Sequence, residues 1–236
     1  MVLWGPDGGR RLGPPHPGTV CAACSALGAG ECYDEVMAAL AIPEHAPRSE
    51  MSLVAWAALP EDDEGELVDG RLVEEEVPGL EHEAIVAWLI GALRPWVVER
   101  GGFVFGSELK MAVRPRRGRK PDVSVYLPGG PRPGRGALAR MPPGIIVEVI
   151  SASPRDVRRD RIEKPDEYAA FGVRFYWLID PVARTLEIFE LGADGRYARA
   201  LGAAGGTIEV PGCAALRLDL DALWAEIDRL GPEEET

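Results

Sequence analysis

A single carboxylate, Glu148, stands inside the run Gly144-Ile145-Ile146-Val147-Glu148-Val149-Ile150-Ser151, which otherwise reads as a fully buried strand. Strand stability gives no reason for an acid there. An ionised carboxylate among valines and isoleucines is strongly unfavourable unless a cation, a metal or several hydrogen-bond donors meet it. A second acid has a similar setting upstream, where Asp122, preceded by Pro121, opens Asp122-Val123-Ser124-Val125-Tyr126. Two acids at the ends of two adjacent core strands are the minimal geometry for gripping a hard divalent cation through oxygen ligands.

Basic residues gather in the same half of the chain. Arg114, Arg116, Arg117, Arg119 and Lys120 form a run without an acid, and Arg155, Arg158, Arg159 and Arg161 follow. The acids crowd instead into 61–76 and into the tail, 231–236. A net charge of -12 gives the whole molecule a field that repels phosphate, so a polyanion would have to be met locally, by this basic half. The bland alternative is a solvated arginine-rich loop. Three lysines, Lys110, Lys120 and Lys164, stand against 23 arginines. A lysine kept in that background suggests a need for a compact ammonium with a tunable pKa, which arginine does not offer.

The elements that must position these groups are legible from Met51 onward. Leu67-Val68 and Leu72-Val73 flank Asp69-Gly70, a hairpin signal with a positive-φ turn. A helix is predicted over 81–100, with Ile85, Trp88, Leu89, Ala92, Leu93, Trp96 and Val97 on its apolar face. Strands are predicted at 103–113, 121–126 and 144–151, then a helix ending at Gly172, then a strand at 174–180. A hairpin across Asp194-Gly195 and a terminal helix at 220–230 complete the pattern.

With 236 residues and 46% hydrophobic content the chain can bury a substantial core. No window is apolar enough to suggest a membrane span, and the amino terminus lacks the basic-then-apolar order of a secretory signal, so a cytoplasmic location is expected. Residues 1–50 read as a low-complexity extension, 51–230 as one domain and 231–236 as an acidic tail. Cys21, Cys24, Cys32 and His16 offer half of a zinc site, but no clean second half follows, and reduced thiols in an extension are the expectation.

The predicted order of helix, three strands, helix, strand, together with its punctuating residues, resembles the restriction endonuclease-like family of the PD-(D/E)xK nuclease superfamily. The likeness is carried by Asp69-Gly70, His82, Pro121-Asp122-Val123, Glu148-Val149-Ile150-Ser151, Asp160, Lys164, Tyr168, Gly172-Val173 and Tyr176-Trp177-Leu178-Ile179-Asp180-Pro181, from about Met51 to about Leu220. It implies an α/β restriction endonuclease-like core with flanking hairpins and hydrolysis of DNA phosphodiester bonds with Mg2+ or Mn2+. Asp122 and Glu148 would bind the metal with the Val149 carbonyl as a third ligand. The superfamily lysine two positions after the glutamate is here Ile150, and the family pattern moves that role to Lys164.

Pro165 predicts that Lys164 sits at a break or a helix start. His82 and Glu66 occupy family positions near the helix start and in the hairpin, and Glu83 is a further acid on the first helix. Glu108 belongs to Glu108-Leu109-Lys110, which spells the lysine motif on an earlier strand and reads more simply as an alternating surface pair. Arg114 to Lys120 with Arg155, Arg158 and Arg159 would hold backbone phosphates, and a homodimer would serve to cut both strands. The rival reading is a nuclease fold whose chemistry has decayed into a nucleic-acid or protein-binding module, for which Ile150 and Pro165 speak.

Overall fold

The computed structural model describes residues 50–60, 65–73, 77–151 and 157–231. A short helix, α1 (Leu53–Ala57), precedes the hairpin β1 (Glu66–Val68) and β2 (Arg71–Val73), whose Asp69 and Gly70 take φ values of 51° and 78°, the turn that the Asp-Gly pair predicts. The long helix α2 (Leu80–Glu99) leads into β3 (Phe103–Phe105), β4 (Met111–Arg114), β5 (Arg117–Arg119), β6 (Val123–Tyr126) and β7 (Ile145–Val149). A π-helical turn, Arg159–Glu163, runs directly into α3 (Lys164–Phe171), which Gly172 ends in the left-handed conformation at φ 95°. Then come β8 (Phe175–Asp180), β9 (Thr185–Leu191), β10 (Tyr197–Ala203), β11 (Thr207–Glu209), β12 (Arg217–Asp219) and α4 (Leu220–Ile227).

Six strands form one sheet in the order β10-β9-β8-β7-β6-β3. Only β7 and β8 run parallel, joined by the crossover through α3, as a parallel pair requires. Both faces of the sheet are covered, so its central strands are apolar without alternation. Ile145, Val147 and Val149 pack into the cluster containing Leu89 and Leu93 of α2 and Leu223 of α4. Ile146 and Ile150 pack instead with Tyr168, Tyr176 and Leu178. The two-residue period of the strand therefore aims Glu148 at the face that carries α3.

A second, four-stranded sheet has the order β2-β1-β5-β4. It corrects one expectation and decides an alternative. The predicted strand over 103–113 divides at Gly106, with β3 joining the large sheet and β4 the small one. Its apolar alternation is real on either side, but the halves face different cores, with Met111 and Val113 in the cluster around Tyr168. The basic run Arg114–Lys120, for which a solvated loop is the bland alternative, lies in a strand hairpin that turns at Arg116 with φ 62°. Gly118 lies against the indole of the fully buried Trp56, where a Cβ would come within 2.3 Å of the ring. The short α1 and the β11–β12 pair carry too few residues to show a period, so the sequence pattern does not reveal them. No helix among the described residues is long and apolar enough to cross a membrane. Cys21, Cys24, Cys32, His16 and Arg155 lie outside the described residues, as does most of the acidic tail.

Candidate active site

Glu148 is 2% exposed, and both of its oxygens meet donors from α3. Lys164 Nζ donates to Oε2 at 2.9 Å, and the Tyr168 hydroxyl donates to Oε1 at 2.6 Å. Spacing of four residues puts Lys164 and Tyr168 on one side of α3. Lys164 is indeed at a helix start, and it keeps helical angles (φ -62°, ψ -40°) although proline follows it. The π turn accommodates this. Its wider ring lets the Lys164 N–H bond to Arg159 O, five residues back, where Pro165 has no N–H to continue an ordinary ladder. The same turn brings Asp160 to the buried face, its Oδ1 2.9 Å from Lys164 Nζ, while the Tyr176 hydroxyl donates to the Asp160 carbonyl at 2.7 Å.

Asp122 immediately precedes β6, and the Val123–Val147 register sets it beside Glu148 at the same end of the antiparallel pair. Its Oδ2 accepts the Val149 backbone N–H at 2.7 Å and lies 3.2 Å from His82 Nε2. His82 comes from the first turn of α2, with its Nδ1 3.7 Å from the exposed Glu83 carboxylate. Asp122, Glu148, Lys164, Val149 and His82, scattered over more than 80 positions, thus come together at one end of the central strands.

The charges are unbalanced. Burial pushes the Glu148 carboxyl well above the usual range; Lys164 only partly opposes this, and Asp122, Asp160 and Glu66 add repulsion. Burial likewise raises Asp160 against the pull of Lys164. For Lys164 burial works against the ammonium, but the carboxylates of Glu148, Asp160, Glu66 and Asp122 outweigh it and hold the pKa well above normal. Burial also works against a charged His82, and the Asp122 hydrogen bond and charge, with Glu83, reverse the balance and raise it.

Among the described residues no three His, Cys, Asp or Glu side chains form a ready-made metal cage. A magnesium-type site asks for less: one or two carboxylates, with water and substrate oxygens completing the shell. Asp122 and Glu148 supply those, and the excess of buried carboxylates over cations is a charge deficit that a divalent ion would offset. On donor chemistry and on charge, these residues fit such an ion.

The remaining candidates make their direct contacts outside this set. Glu66 is fully buried but is paired with Arg119 and accepts the Lys120 backbone N–H at 3.1 Å. Glu108 is 83% exposed and meets Lys120 Nζ at 3.1 Å, while Lys110 donates to the Trp56 carbonyl, so the Glu-x-Lys decoy does not enter the site. Part of the arginine run is turned inward, away from the phosphate-facing surface expected of it. Arg119 is fully buried between Glu66 and Glu167, and Arg117 is held by Glu167 and Asp69. Arg116 pairs with Glu50, and Arg114 donates to the Asp166 carbonyl. Arg159 is buried, whereas Arg158 is 73% exposed beside Glu163. Charge counting along the sequence missed this because the acids that neutralise the run come from distant segments. The structure also adds Tyr168 and Asp160 as direct partners of the Glu148–Lys164 pair. Their signal was present: Asp160, Lys164 and Tyr168 recur every four residues as polar groups on a helix that otherwise must bury that face.

A mixed α/β fold with two carboxylates at adjacent strand ends and a lysine from the following helix defines a protein of the restriction endonuclease-like class. The chain belongs to the Uma2 family, described as "Putative restriction endonuclease", whose model matches residues 52–221. That membership supports nuclease function in general. Among solved structures, a putative nuclease belonging to DUF820 from Anabaena variabilis is similar in fold, with a TM-score of 0.59 at 21% identity over 75% of this chain and 99% of that one. Among curated proteins nothing matches significantly.

Proposed function

We propose that this protein is a metal-dependent endonuclease that hydrolyses DNA phosphodiester bonds through Asp122, Glu148 and Lys164. The observation that carries the reading is the buried contact of Lys164 with Glu148 beside Asp122, in a chain of the restriction endonuclease-like family. Mg2+ or Mn2+, held by Asp122, Glu148 and the Val149 carbonyl, would supply Lewis-acid chemistry, polarising the scissile phosphate and making water more acidic. Burial disfavours the Lys164 ammonium, but the carboxylates of Glu148 and Asp160 beside it outweigh this, which suits a charged donor rather than a general base. Lys164 acts as a fixed donor that orients the attacking oxygen and offsets negative charge developing on the phosphate. His82 holds Asp122 from behind, and Asp160 keeps Lys164 charged. Residues 51–230 make up the catalytic unit, with Arg158, Arg116 and Arg114 at the surface giving salt-sensitive, sequence-independent contacts to backbone phosphate.

Cleavage assays on supercoiled, linear and single-stranded DNA with magnesium or manganese test this. Wild type cuts, and Glu148→Ala and Lys164→Met each lower the rate by at least about a hundredfold, the scale for loss of one charge-stabilising group. Absence of any metal-dependent cleavage that Glu148→Ala abolishes contradicts the reading. One observation favours a second reading, a decayed module: Glu148 and Asp122 already have protein partners at 2.6 to 3.2 Å. Calorimetric titration with magnesium separates the two, since only a working site takes up the ion and loses it with Asp122→Asn.

A further inference from the structure

Glu167 has no role in the chemistry above, yet it is 2% exposed on α3, between Lys164 and Tyr168. Two guanidinium groups of β5 hold it. Arg119 donates from Nε to Oε2 at 2.7 Å and from Nη2 to Oε1 at 2.9 Å, fork against fork, and Arg117 also donates to Oε1. The third nitrogen of Arg119, Nη1, donates to Glu66 on β1. A buried chain of three charged side chains thus links the small sheet to α3.

Such a network is a poor way to gain stability, because the desolvation of buried charges consumes most of their attraction. What it does give is direction. The apolar contacts of α3 with the sheet are non-directional, whereas a bidentate arginine–carboxylate pair fixes both distance and angle. Helix α3 needs that constraint, since it starts in a π turn at a proline and has no side-chain cap. We propose that Arg119, acting through Glu167, is a positioning residue that sets α3 so that Lys164 Nζ and the Tyr168 hydroxyl meet the two oxygens of Glu148. The geometric claim stands on these contacts, and its effect on rate rests on the nuclease reading. Glu66, at the far end of the network, is close enough for its charge to act on Lys164, Glu148 and Tyr168.

Lysine scarcity makes the test direct. Full-length protein labelled with 13C at lysine Cε shows three signals, from Lys110, Lys120 and Lys164, and Lys164→Arg identifies the third. In Glu167→Gln, which keeps the side-chain shape, the Lys164 signal moves towards that of a solvated lysine while Lys110 stays in place. The same variant lowers kcat ten- to a hundredfold, the usual range for second-layer partners of a metal ligand, and leaves KM within about twofold. Arg119→Lys keeps the charge without the fork and shows the same displaced Lys164 signal and lowered kcat. A folded Glu167→Gln protein with an unmoved Lys164 signal and unchanged kcat overturns the proposal, as does an Arg119→Lys protein with wild-type signal and kcat. Should the arginine variant fail to fold, Glu167→Gln decides alone. A wild type that cleaves no DNA contradicts the nuclease reading, while a displaced Lys164 signal in Glu167→Gln would still uphold the positioning role.

Discussion

Glu148 is unusual as a residue because every feature that makes it costly also makes it useful. Its burial would be intolerable without Lys164 and Tyr168, and those partners hold it in one orientation beside Asp122. The sequence exposes this residue clearly, since one acid among β-branched neighbours needs an explanation that packing does not provide. Lysine scarcity hints at Lys164 and family likeness singles it out, whereas Arg119 is not legible, because a buried arginine and a solvated one look identical until the acids from β1 and α3 are placed. His82 yields a prediction at this scale. Its folded pKa is raised above the ordinary 6.5, so its pairing with Asp122 stabilises the metal-free fold fully below about pH 6.5 and is lost as pH rises through the folded value. Thermal unfolding of metal-free protein from pH 5.5 to 8.5 should show this decline, and His82→Gln should flatten it. An unchanged slope in His82→Gln would assign the effect to another group.

At the scale of elements, the π turn is what reconciles Pro165 with a working lysine. A proline in that place argues against a regular helix, and the helix is in fact irregular there, with the irregularity delivering Asp160 and Lys164 to one face. The sequence showed the obstacle but not its solution, since a π turn has no composition signature. The large sheet is readable because its strands carry long apolar runs; β5 is not, because its short arginine-rich sequence pairs its side chains with remote acids. Gly118 on β5 tests how tightly the small sheet is built. Its missing Cβ makes room for Trp56, so Gly118→Ala should destabilise the protein by about 1–3 kcal/mol, the cost of overpacking, measured by chemical denaturation. No loss of stability would mean that Trp56 can move aside. The network from Glu66 to Glu167 passes through the next residue, so the same variant should also lower cleavage.

The whole molecule is acidic, yet its proposed substrate is a polyanion. The resolution proposed here is local: the ion at Asp122 and Glu148 supplies positive charge at the site, and the exposed Arg114, Arg116 and Arg158 add to it at the surface. Weak, salt-sensitive DNA affinity follows. The chain from Met51 onward should fold and act alone. Met51 already donates its backbone N–H to Gly70, a bond that a new amino terminus retains, and the lost Glu50–Arg116 pair is an exposed one worth at most about 1 kcal/mol. Protein beginning at Met51 should therefore unfold within a few degrees of full length and keep its cleavage rate; a large fall in either would give residues 1–50 a part in the fold.

The most direct measurement of the central claim is a crystal structure of the protein soaked in manganese, with anomalous data. An anomalous peak within about 2.0–2.4 Å of carboxylate oxygens from both Asp122 and Glu148, with Lys164 still beside Glu148, is the predicted result. A crystal saturated with manganese that shows no peak there, or shows the ion bound only elsewhere, would contradict it.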